Sequence, residues 1–123
     1  MRPDRVRRIG PSGFGWLDAG LMQKRWLPVL STDELSVYAF LCLVADHQGV
    51  SWYRRGRMVE HMGIHDGELE AALGRLCELD LVAYQPYRAG AADGFHQVLS
   101  LPAGGPPSFG DQLSRLLAER IGR

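Results

Sequence analysis

Met58-Val59-Glu60-His61-Met62-Gly63-Ile64-His65-Asp66-Gly67-Glu68-Leu69-Glu70-Ala71-Ala72 carries two helical patterns on either side of one glycine. Met58, Val59 and Met62 recur at helical spacing before it. Leu69, Leu73, Leu76 and Cys77 do so after it. A glycine at the junction suits a residue whose φ must be positive, because a Cβ there meets the backbone. The spacing predicts a helix from about Arg54 to Met62, a sharp turn at Gly63, and a second helix from about Asp66 to Leu79.

Upstream, Ser31 and Glu34 stand in the Ser-x-x-Glu pattern of a capping box and open a helix that runs to Asp46. Leu35, Tyr38, Ala39 and Cys42 form one apolar face of it, and Val37, Phe40, Leu41 and Val44 a second, so both sides need cover. Gln48-Gly49 reads as a turn, and Val50 to Tyr53 as a short extended segment rich in β-prone residues. Further upstream, Asp18 caps a short helix that Pro28 ends, with Leu17, Leu21 and Trp26 facing the core. Downstream, Leu81 to Tyr87 and Phe95 to Leu101 read as two strands joined by a loop ending in Asp93-Gly94, a turn signal. Residues 1–13 are Arg-rich and read as a disordered basic arm. Residues 102–108 are a Gly/Pro linker, and residues 109–123 an amphipathic helix with Leu113, Leu116, Leu117 and Ile121 on one stripe.

The order helix, short strand, helix, turn, helix, hairpin over residues 31–101 resembles the bacterial winged helix-turn-helix superfamily. Met58, Met62, Gly63, Ile64, Leu69 and Ala72 occupy the positions that lock its two helices together. Val59 departs from the pattern, which has alanine four residues before the glycine. The expected fold is mainly α with a small β-hairpin, a winged helix-turn-helix at residues 14–101 with extra N- and C-terminal helices.

The resemblance implies a DNA-binding protein: a transcriptional regulator, or an accessory factor of a mobile element or replicon. In that family the turn and the start of the third helix enter the major groove, here His65, Asp66, Gly67, Glu70 and Ala71. That set holds no Arg, Lys, Asn or Gln to make bidentate base contacts. Double-stranded DNA would therefore be held mostly by its phosphates. The candidates are Arg54, Arg55 and Arg57 at the start of the second helix, with its free amides, together with His65, Arg75, Arg88 in the hairpin loop, and Arg5, Arg7 and Arg8 in the arm.

Charge is distributed unevenly, although the whole chain is formally neutral. Six lysines and arginines against two acids give residues 1–30 a charge of +4. Five against ten give residues 31–101 a charge of −5, and three against two give the remainder +1. The acidic centre and the acidic third helix favour a different reading, a winged helix that docks on a protein partner in a replication, segregation or transposition assembly.

Other chemistry finds little support. His61 and His65 are four apart, but Gly63 interrupts the helix that would bring them together, so no metal is expected. There is no nucleophile motif and no Gly-rich phosphate loop, so neither enzyme activity nor a cofactor is expected. Cys42 and Cys77 fall on apolar helix faces and read as buried, reduced thiols. The three tryptophans read as core or interface anchors. No leader-like layout and no apolar run long enough for a membrane span is found, so a cytoplasmic location is expected. The surplus apolar surface predicts a homodimer through Trp16, Leu17, Leu21, Trp26, Val37, Phe40, Leu113, Leu116 and Leu117.

Overall fold

A computed structural model describes residues 1–107 and Leu117. The described elements run in the order α1 (Gly20–Gln23), α2 (Thr32–Val44), β1 (Val50–Ser51), α3 (Arg55–Met62), α4 (Asp66–Glu78), β2 (Val82–Pro86) and β3 (Gly94–Val98), with short 3-10 turns at Pro3–Arg5 and Leu27–Val29. The architecture is mixed α/β, and a winged helix is compatible with it. The expected mainly α chain with a two-stranded hairpin needs correcting. β1 joins the hairpin as a third strand, and the antiparallel order is β1-β3-β2. Val50 pairs with Gln97 and Ser51 with His96, so β3 is central. The reason is that Val50 and Ser51 leave the Gly49 turn extended, alongside a strand whose outer edge is otherwise unpaired.

Local chemistry explains the helix ends. Ser31 Oγ accepts the Glu34 N–H at 3.1 Å, and the Glu34 carboxylate accepts the Ser31 N–H at 3.0 Å, completing the capping box of α2. α3 stops at Gly63, which has φ 68° and donates its N–H to the Val59 carbonyl at 2.8 Å. This left-handed residue lets α4 restart three residues later in a new direction. α1 is shorter than expected. Asp18 does cap it, accepting the Gly20 N–H at 2.8 Å, but the helix closes before Arg25, whose φ is 63°. Pro28 lies inside the following 3-10 turn and does not itself terminate α1.

One core gathers all of these elements. Val37, Tyr38 and Leu41 from α2 meet Met58 from α3, and Leu69, Ala72, Leu73 and Leu76 from α4. Leu79, Leu81 and Val82 continue it into the sheet, and Leu21, Trp26 and Leu30 close it from the N-terminal side. Met58 is wholly enclosed, a burial that contributes about 2 kcal/mol. Thus α2 is covered on both sides largely by its own chain, although Leu43 stays exposed. Leu17, expected in the core, lies on the surface because α1 begins only at Gly20. Cys42 and Cys77 are half-buried and unpaired. Burial pushes both thiols up, away from the reactive thiolate.

The sheet closes tightly at Gly94. A Cβ there would stand 2.2 Å from the Gln85 carbonyl oxygen and 2.7 Å from the Pro86 Cα. Within residues 1–13 the Pro3–Arg5 turn is the one helical element, and every residue is exposed. The expected C-terminal helix, with Leu113 and Leu116, lies outside the described residues. Leu117 is helical and exposed.

Candidate functional site

Arg54, Arg55 and Arg57 stand together at the start of α3, but they have different fates. Arg55 is turned inward, its side chain 22% exposed. Its guanidinium pairs with Glu70 of α4 and donates to the Ala92 carbonyl in the β2–β3 loop. It lies 4.0 Å from the Asp93 carboxylate and 5.4 Å from the centre of the Tyr84 ring, which it overlies. One arginine thus ties α3, α4 and the hairpin to each other.

The α3 amides are engaged as well. Asp93 Oδ1 accepts the Arg55 N–H at 2.9 Å across 38 residues of sequence. A carboxylate at a helix N-terminus is a favourable capping group, and it holds the place a phosphate would need. Arg55 therefore acts as a brace, its guanidinium and its amide both already engaged within the chain.

The remaining candidates are spread over the surface. Arg57 pairs with Glu60 at 3.4 Å, both side chains mostly exposed. Arg75 pairs with Glu78 at 3.5 Å and is only 23% exposed. His65 precedes α4, exposed, and its N–H is accepted by the Glu68 carboxylate at 3.2 Å. Asp66, Gly67, Glu70 and Ala71 are exposed as well, so the start of α4 does present a surface. That surface is acidic, with Glu70 compensated by Arg55. Arg5, Arg7 and Arg8 are exposed in the arm, where Arg2 and Asp4 pair with each other at 3.0 Å. Arg54 and Arg88 are exposed and make no ion pair among the described residues.

These two arginines border a groove of about 700 Å³. Its walls are Trp52 after β1, Arg54 before α3, and Tyr87, Arg88, Asp93 and Phe95 of the hairpin.

Behind the hairpin, Ser51, His96 and Tyr84 occupy one cross-strand row. His96 is buried, its ring 5.1 Å from that of Tyr84. Burial drives its pKa down to about 4. The Arg55 charge acts in the same direction and Asp93 against it. The imidazole is therefore neutral at pH 7.

The dimer residues also divide. Leu21, Trp26 and Val37 are enclosed within their own chain and have no surface to offer a second copy. Apolar periodicity gives a face of a helix but not what covers it. Phe40 is half-buried, its ring 5.6 Å from Tyr53 and 6.0 Å from His61. Trp16 and Leu17 are exposed.

Sequence reading missed Asp93, Glu70 and Tyr84 as partners of Arg55. Asp93 had a signal as a turn residue, but nothing local pointed to α3.

Among the described residues no His, Cys, Asp and Glu side chains gather in a group able to hold a metal ion, and no helix is long and apolar enough to cross a membrane. No family model, curated protein or solved structure matches the chain.

Proposed function

We propose that this chain is a winged helix-turn-helix protein that binds double-stranded DNA chiefly through its phosphates, as a regulator or as an accessory factor of a mobile element or replicon. The observation that carries this reading is the succession α2–β1–α3–Gly63–α4–β2–β3. It leaves the first turns of α4 exposed beside a hairpin. Backbone contacts come from Arg5, Arg7 and Arg8 in the arm, and from Arg54 and Arg88. Arg57 and Arg75 contribute less, because each already has a carboxylate within 3.5 Å. Base reading by α4 is weak, because His65 is the only side-chain donor among its five groove-facing candidates.

The test is fluorescence anisotropy of the full chain with a labelled duplex across a salt series. Phosphate neutralisation by about five arginines gives a log–log slope near −4.5. Replacing Arg5, Arg7 and Arg8 by Gln should flatten it. A second reading, docking on a basic protein surface in a cytoplasmic assembly, is favoured by Asp66 and Glu68 at the exposed start of α4 and by the −5 charge of residues 31–101. Absence of any salt-dependent duplex affinity would decide for it. In either case we propose a homodimer, now through Trp16 and Leu17 and not through the enclosed residues.

A further inference from the structure

The groove beside the hairpin carries an aromatic surface that duplex DNA does not use. Trp52 is 59% exposed and Phe95 is 40% exposed, so two large π-faces are open to solvent at one site. One residue, Tyr87, contacts the Trp52 backbone and the Phe95 ring. Tyr87 donates its hydroxyl hydrogen to the Trp52 carbonyl. Its ring meets Phe95 edge-on, with centroids 4.8 Å apart at 90°. Arg54, on the approach to α3, and Arg88, in the hairpin loop, both line the same groove. The acid that lines it, Asp93, is compensated by the Arg55 N–H at 2.9 Å and the Arg55 guanidinium at 4.0 Å.

We infer that this groove is a binding site for single-stranded nucleic acid, with unpaired bases stacking on Trp52 and Phe95 and the intervening phosphates held by Arg54 and Arg88. Aromatic platforms between cationic side chains are what an unpaired strand requires. Each base offers a π-face whatever its identity, and the backbone brings a negative charge per nucleotide. In a duplex those faces are already stacked on one another, so the aromatic surface would stay unused. An acidic peptide could satisfy the arginines but offers no repeating flat ring to the aromatics. The +4 segment at residues 1–30 raises the local concentration of any polyanion. The site shares Arg54 and Arg88 with the duplex reading, but Trp52 and Phe95 serve only the unpaired strand, so the aromatic variants tell the two readings apart.

The experiment titrates the full chain with labelled oligo-dT and oligo-U, with a duplex and with a poly-Glu peptide, following anisotropy and tryptophan emission. Binding of oligo-dT or oligo-U should quench part of the emission. Trp52→Phe should keep the affinity within about twofold and abolish that part of the quench. Trp52→Ala and Phe95→Ala should each weaken strand binding about tenfold with duplex affinity unchanged. Arg54→Gln and Arg88→Gln should each lower the salt slope by about 0.7. Thermal melts identify any variant that fails to fold, and Trp52, being exposed, keeps the test decisive if Phe95→Ala is lost. Three outcomes overturn the inference: no single-strand binding at low salt, strand binding indifferent to Trp52→Ala, or equal affinity for poly-Glu, which would reduce the groove to its charge.

Discussion

The Asp93 carboxylate, in the loop between β2 and β3, accepts the backbone N–H of Arg55, the first residue of α3, at 2.9 Å. The cap of one helix is thereby supplied by a hairpin 38 residues away. The same Arg55 returns its guanidinium to that hairpin and to Glu70. Hairpin and helix pair therefore hold a fixed relation, which keeps Arg54 and Arg88 at the edges of one groove.

Removing the cap should loosen this relation. Asp93→Ala is expected to lower stability by about 1–2 kcal/mol, the usual range for losing an N-cap. Asp93→Asn, which keeps an acceptor oxygen, should recover about half. Urea unfolding followed by circular dichroism measures both. A change below the error of the fit for Asp93→Ala would show that the contact carries no stability.

Neighbouring arginines should behave oppositely. Arg55→Gln is expected to destabilise the fold by about 1 kcal/mol, a modest figure because Glu70 is more than half exposed and its ion pair is screened. It should leave duplex affinity unchanged in variants confirmed to be folded. Arg54→Gln should do the reverse, lowering affinity for DNA with no shift in the melting temperature. Equal effects on binding would return Arg55 to the contact surface.

His96 sets an acid limit on the fold. In the unfolded chain its imidazole takes a proton near pH 6.5, but in the folded chain only near pH 4. Between these values the unfolded state binds more protons, so stability falls as pH drops through the window and levels off below it. The loss amounts to about 3 kcal/mol over the whole range. His96→Phe keeps a ring beside Tyr84 and should remove this part of the pH dependence. Urea unfolding between pH 7 and pH 4 tests it, and an imidazole proton that titrates by NMR near pH 6.5 in the folded protein would refute it.

A second copy should depend on the N-terminal segment. Trp16 is 73% exposed and Leu17 52% exposed. Gly15 between Phe14 and Trp16 lies so close to α2 that a Cβ would stand 2.6 Å from the Cys42 carbonyl oxygen. Light scattering should give twice the chain mass, and Trp16→Asp with Leu17→Asp should halve it. A single-chain mass for the unaltered protein at high concentration counts against the dimer.

Local chemistry alone determined much of this chain. The Ser31–Glu34 box, the left-handed Gly63 and the spacing of Leu69, Leu73 and Leu76 each act over a few residues, within reach of the period of a helix. They were legible for that reason, as were the two strands around Asp93-Gly94. Tertiary structure decided what depends on distance through space. It enclosed Leu21, Trp26 and Val37 within the protomer, because apolar periodicity marks a face without naming its cover. It recruited Val50 and Ser51 as a third strand. It turned Arg55 into a brace while leaving Arg54 outward, although the two are adjacent and chemically identical. Their difference comes from Glu70 on α4 and from Tyr84 and Asp93, the last two reaching α3 only after the hairpin folds back onto it.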